Sequence, residues 1–357
     1  MKTHIKFLIK LFTNSFIKIF IIFFSIILII NTLEQAEFFK NIEFNFIYII
    51  FLSFLNTPSI IFELLPFIFL ISTQIFFINL IDKNELEIFK YAGLDNYEII
   101  KIITTYSFVL GVLFVIIFYN LSSVLKNSFL LIKNQYTDDS KYLAVITENG
   151  LWIKDEINGE INIINADKVD DQFLLNVDIT QFDKNFNMIR IIKSKKVNIS
   201  TYTWTVLEPK ILENDIMSNF VTIEFESNFD LKKINSLFSN LSSLTIIDLF
   251  KLRKNYKSLN YSLTEIDSHL YKVISYPIYL TLITIFSAII MFNIGYQKNS
   301  LLNIVLGIFL SVVIYYVNYF LKILGTSEKI PLIISVFLPL IILSIINMAS
   351  IIRLNEK

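Results

Sequence analysis

Long apolar runs fall into two blocks on either side of a mixed, charged middle. Residues 1–120 and 269–357 are mostly apolar, whereas 121–268 carry charge throughout. A membrane-crossing helix needs about 20 apolar residues to span a core of about 30 Å. Such runs occur at Phe16 to Leu33, Ile102 to Tyr119, Val273 to Ile294, Leu301 to Leu321 and Pro331 to Ile352. The stretch Phe46 to Ile81 is too long for a single crossing, about 54 Å as one helix at 1.5 Å per residue. It reads either as two short spans turning near "NTPS" (56–59) or as one span over Ile60 to Ile81 preceded by an interfacial segment. Pro58 and Pro66 break or bend helices. Two spans would bury Glu63 in the second, whereas one span puts it near the mouth, where a carboxylate is cheaper. One span is therefore predicted, six in all.

The flanking charges set the orientation. Lys2, Lys6, Lys10 and Lys18 precede or open the first span, and Glu34 and Glu37 follow it. Basic flanks favour the cytoplasm, so both termini are expected there. A signal peptide shares the basic start and apolar run, but no small-residue cleavage site follows "SIILIINTLEQ", which predicts an uncleaved anchor. The connector 82–101 then lies inside and the middle segment outside. Lys298, Arg353 and Lys357 obey the positive-inside rule, and Lys322 and Lys329 oppose it.

The middle segment switches to the period of strands. "YLAVIT" (142–147), "EINIINA" (160–166), "FLLNVDITQF" (173–182), "NMIRIIKS" (187–194) and "TYTWTVLE" (201–208) are rich in β-branched and aromatic residues. Two of them alternate with period two, and "DEINGE" (155–160) and "FDKNFN" (182–187) supply turn residues. The pattern predicts a sandwich, jelly roll or other extended β-fold. Residues 242–272 return to helical spacing, with Leu244, Ile247, Phe250 and Leu252 as the expected apolar face.

One short helix stands out between two apolar runs, in "DKNELEIFKYAGL" (82–94). Leu86, Phe89 and Ala92 recur at i, i+3 and i+6, and Glu85, Ile88 and Phe89 share an adjacent face. Gly93 permits a left-handed helix stop. A juxtamembrane helix lying in the headgroups would show this pattern, and so would a plug for a partner's groove.

Composition agrees with the membrane reading. The chain is 54% hydrophobic, above the 45–50% typical of soluble proteins, so spans are required rather than optional. Zero net charge gives no reason to expect nucleic acid as a partner. Without cysteine there is no disulfide, thiol nucleophile or cysteine metal site. The sequence holds no G-x-x-x-x-G-K-[ST] loop, no H-E-x-x-H and no G-x-S-x-G, and its histidines are only His4 and His269. No catalysis, cofactor or metal is predicted.

Three spans, an external β-domain and three more spans resemble the LptF/LptG permeases of the lipopolysaccharide exporter. "NELEIFKYAGL" (84–94) is similar to the family's cytoplasmic coupling segment. "GLWIKD" (150–155) resembles the opening of the β-domain, and residues 182–208 its turn-strand-strand unit ending in a Trp strand. "LYKVISYP" (270–277) and "KIPLIISVFLP" (329–339) resemble the start of the fourth span and the last-span signature. "GLWIKD" and "IPLIISVFLP" favour LptG over LptF.

The resemblance implies an α-helical membrane protein of six transmembrane helices with an inserted periplasmic β-jelly-roll domain. Residues 1–120 would form helices one to three, 121–268 the β-domain with its helical return, and 269–357 helices four to six. It implies a bacterial inner-membrane location, a sister permease (LptF-like), a cytoplasmic ABC ATPase dimer (LptB-like), a periplasmic jelly-roll bridge (LptC/LptA-like) and lipopolysaccharide as cargo. ATP hydrolysis would reside on another chain. Glu85, Leu86, Ile88, Phe89, Ala92 and Gly93 would couple to the ATPase. Asn31, Lys40, Tyr315, Tyr319 and Lys322 are the expected cavity residues. The family has basic residues near the top of the first span, where this chain has Asn31, Glu34 and Glu37, so phosphate contacts do not carry over there. The rival readings are a four-span mechanotransmitting permease, a membrane-anchored binding or scaffold protein, and the LptF-type partner subunit.

Overall fold

The computed structural model describes residues 3–40, 45–134, 136, 151–157, 159–170, 172–184, 186–213, 216–231, 234, 240–258, 262–293 and 300–355. The expected strand "YLAVIT" lies outside the described residues. Two compact units emerge, one of residues 1–129, 245–249 and 263–357, the other of residues 130–244 and 250–262.

The first unit is helical. Its elements are α1 (Thr3–Phe38), α2 (Phe46–Asp82), the short α3 (Glu85–Tyr91) and α4 (Asn96–Leu113). A π-helical turn (Phe114–Tyr119) joins α4 to α5 (Asn120–Asn134). Of α6 (Ile246–Ser258) only the first residues, to Leu249, belong to this unit, and α7 (Thr264–Asn293), α8 (Ser300–Thr326) and α9 (Leu332–Asn355) complete it. Among the described residues, six helical stretches are long and apolar enough to cross a membrane: α1, α2, the joined α4–α5, α7, α8 and α9. Of these, α2 and α7 are the most buried and α8 the least.

Residues 46–81 form one helix and not two short spans turning near residues 56–59: α2 runs unbroken for 37 residues with Pro58 and Pro66 inside it, and Glu63 sits at mid-helix. The reason lies in a neighbouring helix. Proline at 66 has no N–H for the carbonyl of Phe62, four residues earlier. The hydroxyl of Tyr276 on α7 donates to that carbonyl instead, and the two rings stack at 4.7 Å. Backbone groups freed inside a membrane helix are tolerated when neighbours satisfy them in this way.

The other helix contacts follow the same logic of small residues and polar bridges. A Cβ on Gly111 of α4 would come within 3.0 Å of the Pro277 Cα, so glycine permits this approach to α7. Ser287 Oγ donates to the Leu70 carbonyl at 2.8 Å, tying α7 to α2. Asn347 Nδ2 donates to the Leu282 carbonyl at 2.9 Å, tying α9 to α7. Phe16 of α1 meets Phe69 and Phe114 edge-on at 5.0 and 5.6 Å. Tyr119, at the end of the π turn, bonds His269 Nε2 at 2.9 Å, so His269 is an interhelical bridge.

The second unit holds an antiparallel sheet of eight described strands: β1 (Leu151–Ile157), β2 (Glu160–Asp170), β3 (Phe173–Phe182), β4 (Met188–Asn198), β5 (Thr203–Leu207), β6 (Lys210–Glu213), β7 (Ile216–Asn219) and β8 (Thr222–Glu226). The order is that of a meander. β5 and β6 continue one line of pairing on β4, through Leu207↔Lys196 and Lys210↔Lys193. The line breaks at Glu208, held at φ 47°, and Pro209, which lacks an N–H. Strands β6 to β8 extend the sheet past residue 208, where the sequence pattern predicted no further strand. Gly159 at φ 83° closes the β1–β2 turn, a left-handed position that favours glycine.

Val177 and Ile179 of β3 alternate onto the buried face with Ile164, Ile192 and Val206, and a break in the pairing at Asn176, held at φ 49°, brings Leu174 to the same face. Trp204 is fully buried there, and its Nε1 donates to the Phe229 carbonyl at 2.7 Å. Asp155 at the end of the "GLWIKD" string is buried but satisfied. It accepts from Ser227 Oγ at 2.8 Å, the Asn228 N–H at 3.0 Å and Asn228 Nδ2 at 2.8 Å. The helical return is corrected in one respect. In α6, Leu249 and Leu252 are buried, while Ile247 and Phe250 are exposed.

Candidate functional site

Two places in the helical unit carry the expected functional residues. The first is α3. Asn84 at φ 57° breaks it from α2. Glu85 and Glu87 occupy its first turn and Lys90 its last, the signs that favour a helix dipole. Its C-terminus is closed by two bonds, Gly93 N to the Lys90 carbonyl at 3.0 Å and Leu94 N to the Phe89 carbonyl at 2.9 Å. Together with Gly93 at φ 84° these form a Schellman stop.

The face assignment on α3 is corrected. The predicted stripe Leu86–Phe89 turns toward its own chain: Leu86 is buried, and Phe89 packs on Phe7 at 5.9 Å. The apolar residues left outside are Ile88, 61% exposed, and Tyr91, 89% exposed, three positions apart and followed by exposed Ala92 and Gly93. Glu85 is half-buried, and its Oε2 has no hydrogen-bond partner among the described residues.

The second place is a cavity of about 250 Å³ among α2, α7, α8 and α9. Lys272, Ser275, Tyr276 and Tyr279 line it from α7, at i, i+3, i+4 and i+7. Tyr315, Asn318, Tyr319 and Lys322 do so from α8 with the same spacing. Glu63 and Pro66 come from α2, and Ser335, Val336 and Leu340 from α9. The spacing makes one face of each long helix polar where the helices meet. Glu63, Tyr315, Tyr319 and Lys322 are exposed in the isolated protomer, so the cavity opens to its surface. Ionisable side chains on membrane helices that are not shielded by their own chain face a water-filled space or a partner.

Three of the five expected cavity residues thus come together: Tyr315, Tyr319 and Lys322. Asn31 and Lys40 do not. Asn31 is buried between α1 and α2, where Nδ2 donates to the Ser53 carbonyl at 2.9 Å and Thr57 Oγ1 at 3.4 Å. Its Oδ1 accepts from Gln35 Nε2 at 3.1 Å and Asn56 Nδ2 at 3.3 Å. An amide in an apolar bundle needs such partners, and they close it off from any cavity. Lys40 is exposed and pairs with Glu37 at 3.7 Å. The sequence reading missed Glu63 and Lys272 as cavity residues. Lys272 shared the helical spacing of Ser275, Tyr276 and Tyr279 on its own helix, whereas Glu63 had no such neighbour on α2.

A family model described as the lipopolysaccharide export system permease LptF/LptG matches residues 6–353. The chain belongs to the LptF/LptG family. No curated protein matches it. The match covers nearly all of both helical blocks and the sheet between them, so the six apolar helices are those of a multi-pass permease. LptF/LptG proteins are permease components and not catalytic subunits, and their role is lipopolysaccharide export.

Proposed function

We propose that this chain is the LptG-like permease of an inner-membrane ABC exporter that lifts lipopolysaccharide out of the bilayer and passes it to a periplasmic bridge. The family match along residues 6–353 carries this reading. The chain pairs with an LptF-like sister permease, and both rest on an LptB-like ATPase dimer. Both termini are cytoplasmic. The sheet lies in the periplasm, where it serves as the jelly-roll element that meets an LptC/LptA-like protein. The strings "GLWIKD" and "IPLIISVFLP" support the LptG-like assignment.

Energy from the ATPase enters through α3. Ile88 and Tyr91 supply an apolar face with no cover in the chain, Ala92 adds to it, and the Gly93 stop fixes the helix end. Among the described residues one Glu85 oxygen has no hydrogen-bond partner, a costly state that a basic residue on the ATPase would relieve. Leu86 and Phe89 hold α3 on the bundle, so movement of the ATPase reaches α2. In the cavity, Lys272 and Lys322 attract the anionic headgroup of the cargo, with Tyr315 and Tyr319 at the rim.

Co-purification from the native membrane tests the assignment. The wild-type chain should bring down an ATPase and a second permease. Glu85→Ala and Tyr91→Asp should each lower ATPase recovery by about tenfold while the permease pair stays intact, as loss of an interface anchor does. Recovery equal to wild type in both variants would show that α3 is not the docking element.

A further inference from the structure

The cavity contains a charge balance that headgroup attraction alone does not explain. Apart from tyrosines, three ionisable side chains among the described residues line it: Glu63, Lys272 and Lys322. Lys272 shares this space with a carboxylate of opposite charge, Glu63, and an ammonium of like charge, Lys322. Lys126 on α5 does not line the cavity. The lining therefore sums formally to one net positive charge. A charge left unopposed at membrane depth is expensive, so the site is completed by an anion. The space of about 250 Å³ is below the roughly 300–1,000 Å³ of pockets that enclose a drug-sized ligand. That volume matches the polar end of a larger molecule better than the whole of it.

We infer that Glu63 is a specificity-determining residue that makes the cavity select a singly charged headgroup, as a phosphodiester is, over a phosphomonoester. A phosphomonoester carries about 1.5 to 2 negative charges near neutral pH. It needs two unopposed cations, and Glu63 offsets one of the two. The second negative charge would then face a carboxylate, and a like charge disfavours binding in a partly dry site. The inference rests on the proposal that the cavity receives the cargo's anionic end.

The test uses the full-length chain in its native complex, in nanodiscs, with two probes. One is lipid A with a free phosphomonoester, the other the same lipid with that phosphate methylated to a diester. Wild type should bind the diester about tenfold more tightly, the effect of one nearby charge. Glu63→Gln should level or reverse the preference, Glu63→Asp should keep it, and Lys272→Gln should weaken both lipids. A wild-type preference for the monoester overturns the inference with no variant needed, including when Glu63→Gln does not fold. A preference unchanged in folded Glu63→Gln also overturns it, while weakening of both lipids by Lys272→Gln would leave the headgroup site standing. Unchanged binding of both lipids to Lys272→Gln removes the site altogether. Dimethyl phosphate displacing either lipid at equal concentration would mark a site for soluble anions and overturn the assignment to a lipid.

Discussion

Two polar clusters sit within the apolar helices, and they are built in opposite ways. The α1–α2 seam around Asn31 is neutral and buried, and its amides bond one another and the Ser53 carbonyl. Only Gln35 Oε1 in that group lacks a partner among the described residues. The cavity among α2, α7, α8 and α9 is charged and open, and its side chains point into a shared space. A polar residue in a membrane helix is a functional candidate by default. The contrast shows what separates glue from site: whether the partners come from the same chain or are left to come from outside.

Placing the same charge in both regions is the strongest way to break this contrast. Asn31→Lys puts an ammonium where amides already fill the seam. An ammonium buried there without a partner costs several kcal/mol, enough to prevent assembly of a marginally stable bundle. Tyr319→Lys adds the same charge at the open rim of the cavity, where water or a partner solvates it. It should fold and assemble normally, with any change confined to lipid binding. Size-exclusion profiles and thermal melts of the two variants side by side decide the matter. Equal destabilisation would mean that the cavity is as closed as the seam.

The next contrast concerns how a helix with a carboxylate and two internal prolines is held. Tyr276→Phe leaves the Phe62 carbonyl without its donor and should lower stability by about 1 kcal/mol. Pro66→Ala restores an N–H at that position, and the freed carbonyl can then bond within α2. In the double variant the loss of the tyrosine hydroxyl should therefore cost little. A double-mutant cycle in detergent measures the coupling. A coupling near zero would show that Tyr276 acts only through ring packing on Phe62.

These elements also show what the sequence made legible. The bounds of β3, Phe173–Phe182, were legible because an apolar run that alternates from Val177 onward lies between polar turns. The six spans were visible because apolar length is a property of each segment alone. The continuity of α2 was not, since Pro58, Pro66 and Glu63 each argue for a break when read singly. The compensating Tyr276 lies more than 200 positions away. Strands β6 to β8 escaped because they are four or five residues long, with a proline and a left-handed glutamate between β5 and β6. At the cavity, the α8 face of Tyr315, Tyr319 and Lys322 was found from its spacing. Lys272 and Glu63 were not, because the meeting of three helix faces is a tertiary fact. Asn31 was misplaced for the complementary reason: nothing local tells a hydrogen-bonded amide from a ligand contact.

The smallest effect is expected at Gly93, and it sharpens the comparison outside the two clusters. A Cβ there would meet no heavy atom within 4 Å, so any penalty of Gly93→Ala comes from its φ of 84° alone. That left-handed conformation costs an alanine about 1 kcal/mol. Asparagine tolerates the same conformation better, so Gly93→Asn should fall between glycine and alanine. The bundle should melt as wild type, because α3 contributes only Leu86 and Phe89 to its packing. Hydrogen exchange at the Gly93 and Leu94 amides, which close the helix, should instead quicken by about fivefold in Gly93→Ala, the kinetic image of that local penalty. ATPase recovery should fall in the same order, glycine above asparagine above alanine. If exchange quickens while recovery stays constant, the helix end is not part of what the ATPase reads, and the docking face contracts to Ile88 and Tyr91.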